Sequence, residues 1–174
     1  MNLSITTAIE ILEQTPGTLQ HMLLHLSAEW TTNNEGGDSW SVYDVIGHLA
    51  HGEKTDWMTR ATLILSDNTD KHFKTFDRFA QFKASEGKSL QQLLDEFTEL
   101  RKANIEKLRA KNITASDLLR TGIHPAFGEV ILSQLLATWV VHDLDHISQI
   151  SRVMAKQYKE AVGPWVEYLK ILRQ

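Results

Sequence analysis

Two histidines four positions apart are the residues of this sequence whose type and spacing best fit metal chemistry. His142 and His146 lie in a run from Leu135 to Ile150 that contains neither proline nor glycine. An α-helix turns about 100° per residue, so side chains four positions apart are neighbours on one face. Because neutral imidazole is the commonest protein ligand for metal ions, this run predicts a helix that carries two ligands of a metal site.

The face of this helix that carries the two histidines also carries its largest apolar side chains. The stripe consists of Leu132, Leu135, Trp139, His142, His146, Ile150 and Val153. A pair of ordinary buried histidines is the alternative interpretation, but burying two polar rings side by side without a shared partner is costly. Asp143 and Asp145 are nearby, and helical geometry turns Asp145 away from the stripe. The sequence therefore favours a buried metal site.

A second pair of histidines provides an internal comparison. His21 and His25 have the same spacing as the first pair. Both point roughly away from the apolar face of their own predicted helix. We therefore expect His21 and His25 to be solvated.

A third histidine can complete the site from another predicted helix. His48 lies at the edge of the apolar face of the segment from about Val42 to Leu65, about 100° from the centre of that face. From such an edge a side chain can reach a neighbouring helix of a bundle. His51 is turned further outward and is expected to be solvated, although periodicity alone does not choose the third ligand securely. Three histidines leave coordination positions open for water or substrate, as in catalytic metal sites.

Three further residues are candidates for supporting roles. Asp44, one turn before His48, can accept a hydrogen bond from the ring nitrogen that does not bind metal; as an acid in the first turn, it also favours the helix dipole. Glu53 projects near the middle of the apolar face, so it needs a partner, either the metal or a basic residue. His124 precedes Pro125 in a predicted loop and can join the site, with an ordinary surface position as the alternative.

The composition limits the classes of protein to which the chain can belong. A length of 174 residues fits one domain, residues 1–174, and suffices for a sizeable core. The net charge of -4 is modest and there is no basic stripe, which disfavours binding to nucleic acid or anionic lipid. The absence of cysteine excludes disulfides, thiolate ligands and a cysteine nucleophile, and it fits a reducing cytoplasm. No segment has the length of a membrane span, so we expect a soluble cytoplasmic protein.

Four long segments with an apolar face must position the candidate site residues. They run from about Thr6 to Ala28, Val42 to Leu65, Leu90 to Ala110 and Glu129 to Lys156. Thr15-Pro16-Gly17 predicts a kink or restart within the first helix, and a short amphipathic helix is expected after Gly163-Pro164. No strand pattern is present. The sequence therefore predicts an all-α four-helix bundle with a long crossover between the second and third helices.

The connections and the third helix are less informative about chemistry. Four phenylalanines recur every third residue in the long connection from Ser66 to Ser89. They are Phe73, Phe76, Phe79 and Phe82. A lid over the site is one interpretation, and packing as a satellite hydrophobic cluster is the favoured one. Residues Thr114 to Glu129 are expected to form a loop or a short helical turn, and the third helix offers no obvious chemistry.

Two histidine-containing runs form a specific pair of motifs when they occur in this order and at this separation. The first is the run from Trp40 to Leu49, WSVYDVIGHL, and the second is the run from His142 to Ile150, HDLDHISQI. Together they resemble the paired signatures of the DinB/YfiT-like superfamily, and the resemblance covers nearly the whole chain. The segments His124-Pro125 and Gly163-Pro164-Trp165 are similar to those of one branch. Asp44 stands where many relatives carry glutamate.

This resemblance carries implications for fold, assembly and cofactor. It implies a four-helix bundle in up-down-down-up order, often dimeric. It also implies a divalent metal ion, such as Zn, Ni, Fe or Mn, held by His48, His142 and His146. Members of the superfamily include bacillithiol S-transferases and a mycothiol-dependent maleylpyruvate isomerase, so small molecules and low-molecular-weight thiols are the implied partners.

Two functions are open at this point. The first is a metal-dependent enzyme that transfers a low-molecular-weight thiol or hydrolyses a small substrate, because a bound ion lowers the pKa of a coordinated thiol or water. Glu53 and His124 are the candidates for proton transfer in such an enzyme. The second is a non-catalytic metal-binding or dimerising helical protein. We expect a homodimer, since aromatic residues outside the stripes, such as Trp30 and Phe82, offer apolar surface.

Overall fold

The computed structural model describes residues 3–173, and helices make up most of it. The predicted domain also includes residues 1, 2 and 174, which lie outside the described residues. The α-helices are α1 (Ile5–Leu23), α2 (Ala28–Thr32), α3 (Val42–Thr55), α4 (Trp57–Leu65), α5 (Ala80–Ser85), α6 (Leu90–Ala110) and α7 (Leu132–Lys156). The other elements are strands β1 (Thr121–His124) and β2 (Gly128–Ile131) and 3-10 helices at Asp117–Leu119, Gly163–Tyr168 and Lys170–Arg173. None of the described helices combines the length and the hydrophobicity that crossing a bilayer requires.

The long helices form an up-down-down-up four-helix bundle, which confirms the predicted fold class. Its members are α1, α3 with its continuation α4, α6 and α7. Helix α6 packs against α1 and α3, and α7 packs against α1, α3 and α4. The long connection between α4 and α6 crosses the bundle, so the second and third long helices run in the same direction.

The core of the bundle consists of two clusters of buried side chains. One cluster includes Trp57 and Trp139, and the other includes Ile46 and Phe97. All the apolar members of the predicted α7 stripe are buried. The periodicity therefore identifies correctly the face of α7 that meets the core.

The start of α6 follows from its capping residues. The hydroxyl of Ser89 accepts a hydrogen bond from the Gln92 N–H, and the Gln92 side chain accepts one from the Ser89 N–H at 2.7 Å. Each bond satisfies a backbone N–H that has no partner within the helix. Helix α6 accordingly begins at Leu90 and ends at Ala110, as predicted.

Pro16 lies inside α1; of the predicted kink or restart, the restart is wrong. Helix α1 continues beyond Pro16 to Leu23, and α2 is a separate short helix. Proline has no N–H to donate to the carbonyl four residues earlier, which here is that of Leu12. The Leu12 carbonyl instead accepts a hydrogen bond from Arg101 Nη1 at 2.8 Å. A side chain of α6 thus satisfies the group that Pro16 leaves free.

The second long helix is interrupted at Asp56, where the sequence predicts continuous helix from Val42 to Leu65. Asp56 has φ -114° and ψ -75° and separates α3 from α4. Its carboxylate forms a 2.7 Å ion pair with Arg60. Directly after the interruption, Trp57 stacks on Trp139 with ring centroids 5.8 Å apart. A contact between residues far apart in the chain leaves no trace in the spacing of apolar residues along one helix. The sequence pattern therefore does not predict the interruption at Asp56.

A β-hairpin occupies part of the segment for which the sequence predicts a loop or helical turn. Strands β1 and β2 pair antiparallel, and Ile123 in β1 also exchanges backbone hydrogen bonds with Lys71 and Phe73 of the long connection. Gly128 begins β2 with a φ of +71°, in the left-handed region that glycine adopts readily. The expectation that the chain has no strands is therefore wrong. Strands of four residues are too short to show a clear two-residue period.

The four phenylalanines of the long connection lie in different surroundings. Phe73 is buried in the core, and Phe76 packs beside the ring of His48. Phe79 and Phe82 are exposed and stack on each other. The four rings therefore form neither one satellite cluster nor a lid to which all four contribute.

The segment after α7, for which the sequence predicts a short amphipathic helix, forms two short 3-10 helices. Trp165 and Tyr168 are exposed, whereas Leu172 is buried. A 3-10 helix has three residues per turn, so apolar positions chosen for a period of 3.6 residues do not share one face.

Candidate metal centre

The three histidines that the sequence selects converge inside the bundle. His48 Nε2 and His146 Nε2 each lie 3.1 Å from His142 Nε2. One ligand atom from each ring lies within 4.8 Å of the other two. His48 and His146 are buried, and His142 is half-buried. Helix α7 supplies two rings one turn apart, and α3 supplies the third from the edge of its apolar face.

The surroundings of the three rings hold them in the neutral form that binds metal. Burial lowers the pKa of His48 to about 3, and repulsion from Arg78 and from any neighbouring histidine that becomes protonated acts in the same direction. Burial also lowers the pKa of His142 to about 2, and repulsion from Arg101 and from any protonated neighbouring histidine adds to this effect. Burial lowers the pKa of His146 as well, although Gln149 and nearby aspartates oppose this change. At neutral pH all three rings are therefore uncharged.

The two nitrogen–nitrogen distances that involve His142 fit a bound metal ion. Two imidazole nitrogens that bind one ion at about 2.1 Å are separated by about 3.0 to 3.4 Å when the bond angle is about 90° to 110°. Both Nε2 distances from His142 fall in this range. Hydrogen bonding alone fits less well, because one Nε2 hydrogen on His142 can serve only one of its two neighbours.

A glutamine fixes the orientation of one of these rings. His146 Nδ1 lies 2.8 Å from Oε1 of Gln149. An amide oxygen only accepts, so Nδ1 donates, and Nε2 keeps its lone pair for a metal, as is usual for metal-binding histidines. Gln149 was not among the residues predicted from the sequence, although its position three residues after His146 on one helix was a usable signal.

Aromatic rings surround the three histidines. The ring centroids of Trp40 and Phe76 lie 4.9 and 5.6 Å from that of His48. The ring of Trp57 lies 5.0 Å from that of His142. These rings come from the loop before α3, from the long connection and from α4. They give the centre an apolar wall that limits its contact with bulk water.

Asp44 caps α3 and forms no bond with His48. Its Oδ2 accepts hydrogen bonds from the N–H and the hydroxyl of Ser41, at 2.9 and 2.6 Å. The Ser41 hydroxyl in turn accepts from the Asp44 N–H. His48 Nδ1 has no hydrogen-bond partner among the described residues. The position of Asp44 thus fits the alternative interpretation, an acid that stabilises the start of a helix.

Glu53 lies in a buried charged network and not with the three histidines. Its Oε1 accepts hydrogen bonds from Arg101 Nη2 at 2.8 Å and from Trp139 Nε1 at 2.9 Å. Its Oε2 accepts one from Asn104 Nδ2 at 2.9 Å. Of the two partners that the sequence allows, the structure provides the basic residue. The carboxylate is 0% exposed, so its position gives no support to the predicted proton transfer with a substrate.

Arg101 also binds a second buried carboxylate. Asp143, next to His142 on α7, accepts hydrogen bonds from Nη1 and Nη2 of Arg101 at 2.6 and 2.9 Å. Burial opposes the charge of Arg101, but the two carboxylates outweigh it and raise the pKa of Arg101. One guanidinium thus joins two carboxyl groups, and one of these belongs to the residue next to His142. We call Glu53, Arg101, Asn104 and Asp143 the buried charged network.

The third helix carries a buried arginine, Arg101, that was not among the residues predicted to matter, and the signal for it was available. Arg101 lies four residues after Phe97 and four before Ile105, on the buried face of α6. Asp143 likewise lies four residues after Trp139 on α7. A charged residue at a core position of a helix needs a buried partner of opposite charge. Arg101 and Asp143 both occupy such positions, so the sequence could have been used to predict that they pair.

His124 lies in the hairpin, and no described contact joins it to the three histidines. Its Nδ1 accepts hydrogen bonds from the N–H groups of Ala126 and Phe127, at 3.1 and 3.3 Å. Its ring stacks on that of Phe127, with centroids 4.5 Å apart. These contacts give His124 a role in the hairpin turn and give no support to a place in the site.

The remaining histidines divide between the rim of the site and the surface. His51 is half-buried, and its ring lies 5.2 Å from that of Phe76, which also contacts His48. It therefore lies closer to the centre than the expected solvated position. His21 and His25 are exposed, as predicted, although α1 ends at Leu23 and His25 lies beyond it with a φ of +69°.

Comparison with known proteins identifies the family of the chain. The sequence model of the DinB superfamily matches residues 11–150, a range that contains both histidine motifs. No curated protein sequence matches the chain. Among solved structures, YfiT from Bacillus subtilis, described as a probable metal-dependent hydrolase with an unusual four-helix bundle topology, has a TM-score of 0.75 at 20% identity and covers 90% of each chain. That similarity shows the fold. Because the family model spans most of the sequence, the chain belongs to the DinB superfamily.

Proposed function

We propose that this protein is a metal-dependent hydrolase of small substrates. The observation that carries the proposal is the cluster of three histidine side chains, each with one nitrogen within 4.8 Å of the others. A set of three protein ligands leaves positions open for water and substrate, as in catalytic zinc sites. The description of YfiT supports the same class of reaction, as an analogy between proteins of one fold.

The residues of the chain divide the work of such a site between binding, orientation and exclusion of water. A bound divalent ion would supply a nucleophile near neutral pH by lowering the pKa of a coordinated water or low-molecular-weight thiol. The three histidines would hold the ion, and Gln149 orients the ring of His146. Trp40, Trp57 and Phe76 keep bulk water away from the reacting groups, which strengthens electrostatic interactions there.

We propose His51 for proton transfer, in place of Glu53 and His124. His51 follows His48 by three residues on α3, so the two side chains leave neighbouring positions of one helix. Its ring is half-buried and so remains partly accessible to solvent, and it shares Phe76 with His48 as a neighbour. The carboxylate of Glu53 is enclosed in the buried charged network, and His124 is bound within the hairpin turn.

The test of this function is hydrolysis by protein that has been reconstituted with Zn, Ni, Mn or Fe(II). The substrates are a panel of small esters and amides, each assayed with and without a low-molecular-weight thiol. We expect at least one metal form to exceed the rate of the His146→Ala variant. His51→Gln should lower kcat by about 10²- to 10⁴-fold, the usual contribution of a proton-transfer group, and should leave metal content unchanged.

The same assay separates the proposal from its alternatives. Thiol conjugation without hydrolysis would assign the site to thiol transfer. If no metal form exceeds the His146→Ala rate, the non-catalytic metal-binding protein is the better description. A structural metal should also add much of the folding stability, so that chelation lowers the melting temperature strongly, whereas a catalytic metal should be removable from a protein that stays folded.

We also propose that the protein forms a homodimer through α1 and α7. Ile11 and Val141 are exposed and line an apolar groove between these helices, and the exposed Leu144 extends it along α7. Adjacent apolar side chains on two helices suit a symmetric interface. Light scattering at high micromolar concentration should give twice the mass of the chain, and Val141→Glu should return the mass to that of one chain. A wild-type protein with the mass of one chain would contradict the proposal.

A further inference from the structure

A buried side chain near the metal centre has no hydrogen-bond partner. Gln81, in α5, is 0% exposed, and neither its amide oxygen nor its amide nitrogen forms a hydrogen bond among the described residues. Burying an amide without a partner is destabilising. An apolar residue would fill the same space without this cost, so packing alone does not account for a glutamine here.

Gln81 packs against α3 at the residue that precedes His48. A Cβ atom on Gly47 would lie only 2.6 Å from Gln81 Oε1. Glycine at this position therefore allows the amide to approach the backbone of α3 closely. The hydroxyl of Tyr43 lies 2.6 Å from the carbonyl oxygen of Ser85, and this contact holds the end of α5 against α3. Residues of both α3 and α5 therefore contribute to the close packing of these two helices.

His48 lacks the partner that Gln81 can provide. Its Nδ1 is buried and has no hydrogen-bond partner among the described residues. When Nε2 is directed at a metal, Nδ1 of the neutral ring carries the hydrogen and is a donor. His146 meets the same requirement through Oε1 of Gln149. A glutamine oxygen thus already serves one of the three rings.

We infer that Gln81 is a positioning residue for His48. The two groups do not bond directly in the structure; when a metal ion is bound, the amide oxygen accepts the Nδ1 hydrogen through one water molecule and so orients the ring toward the ion. The inference rests on the metal site of the proposed function but not on hydrolysis. Outer partners of this kind fix the tautomer and orientation of a ligand, and their loss typically lowers metal affinity by about 10- to 100-fold.

The experiment compares three variants of the full chain. Gln81→Leu removes the acceptor and keeps most of the volume, and Gln81→Glu keeps an acceptor. Gln20→Leu is the matched control, because Gln20 bonds to Thr98 between α1 and α6 and away from the histidines. The measured quantities are the Zn²⁺ dissociation constant by competition with a chelator, the absorption spectrum of the Co²⁺ form, and the melting temperature without metal.

The expected results separate positioning from packing. Gln81→Leu should weaken Zn²⁺ binding by about 10- to 100-fold and change the Co²⁺ spectrum, while the melting temperature without metal stays the same or rises. Gln81→Glu should recover most of the affinity, and Gln20→Leu should retain it.

Two outcomes would overturn the inference. One is Zn²⁺ affinity in Gln81→Leu equal to that of Gln20→Leu. The other is a Zn²⁺ affinity of Gln81→Glu that is as low as that of Gln81→Leu. Altered packing, and not the loss of an acceptor, would then explain the lower affinity. If the wild-type protein binds Zn²⁺ but hydrolyses no substrate, the proposed function is wrong. The Zn²⁺ affinities of these variants would still decide whether Gln81 positions His48.

Discussion

Replacing His142 with alanine is expected to remove the metal-binding capacity of the protein almost completely. His142 Nε2 lies 3.1 Å from the Nε2 atoms of both His48 and His146, so its ring is common to both close contacts. Loss of a residue that only hydrogen-bonds to a metal ligand lowers metal affinity by about 10- to 100-fold. Loss of the ligand His142 itself should lower the affinity for a divalent ion by much more than this. Elemental analysis after dialysis against each candidate metal, with calorimetric titration of the metal-free protein, measures the effect.

The control for this experiment is the other histidine pair of the chain. His21 and His25 have the same spacing in the sequence but are exposed, and α1 ends at Leu23, before His25, so alanine at either position should leave the metal content unchanged. These variants also detect non-specific binding of metal to histidine. Full metal occupancy in a protein that carries both His142→Ala and His146→Ala would rule out the proposed centre.

Replacing Arg101 with methionine is expected to cause the largest loss of stability. It would leave the carboxylates of Glu53 and Asp143 buried without their cation, and it would also remove the donor to the Leu12 carbonyl. Breaking a buried ion pair by removing one partner costs about 3 to 5 kcal/mol. Urea unfolding of the metal-free protein should therefore show a much lower midpoint, with the free energy of unfolding reduced by about that amount.

Arg109 provides the matched control on the same helix. Its ion pair with Glu13 is largely exposed, with side chains 54% and 41% accessible. Exposed pairs contribute about 0 to 1 kcal/mol, so Arg109→Met should change the free energy of unfolding only slightly. Equal effects of Arg101→Met and Arg109→Met would show that the buried charged network does not stabilise the fold as we describe.

Helical periodicity accounts for the part of the structure that the sequence predicts well. Leu90 to Ala110 has both a cap and a continuous apolar stripe, and α6 has these bounds. The ligand pair on α7 is also a local property, since residues four apart on a helix share a face. His48 could be selected because an edge position on one helix can reach another. The resemblance to the DinB/YfiT-like superfamily added the choice of His48 over His51.

The parts that the sequence missed depend on contacts between distant residues. Glu53 and Arg101 are 48 positions apart in the chain, and no local pattern states that one is the partner of the other. The same is true of Gln81, which meets α3 only because the long connection folds back on it. The hairpin is too short for a periodic signal, and its pairing with Lys71 and Phe73 is again a tertiary contact.

The way in which Arg101 joins the helices affects how the protein assembles. Through Leu12, Glu53 and Asp143, this one side chain connects α1, α3 and α7 to α6. An intermediate in which one of these helices is detached would leave a charge or a carbonyl in the core without its partner, at a high free-energy cost. Partly assembled bundles are therefore disfavoured relative to both the native and the unfolded chain. The four long helices consequently form one cooperative folding unit, and the ligands on α3 and α7 come together only when that whole unit has folded.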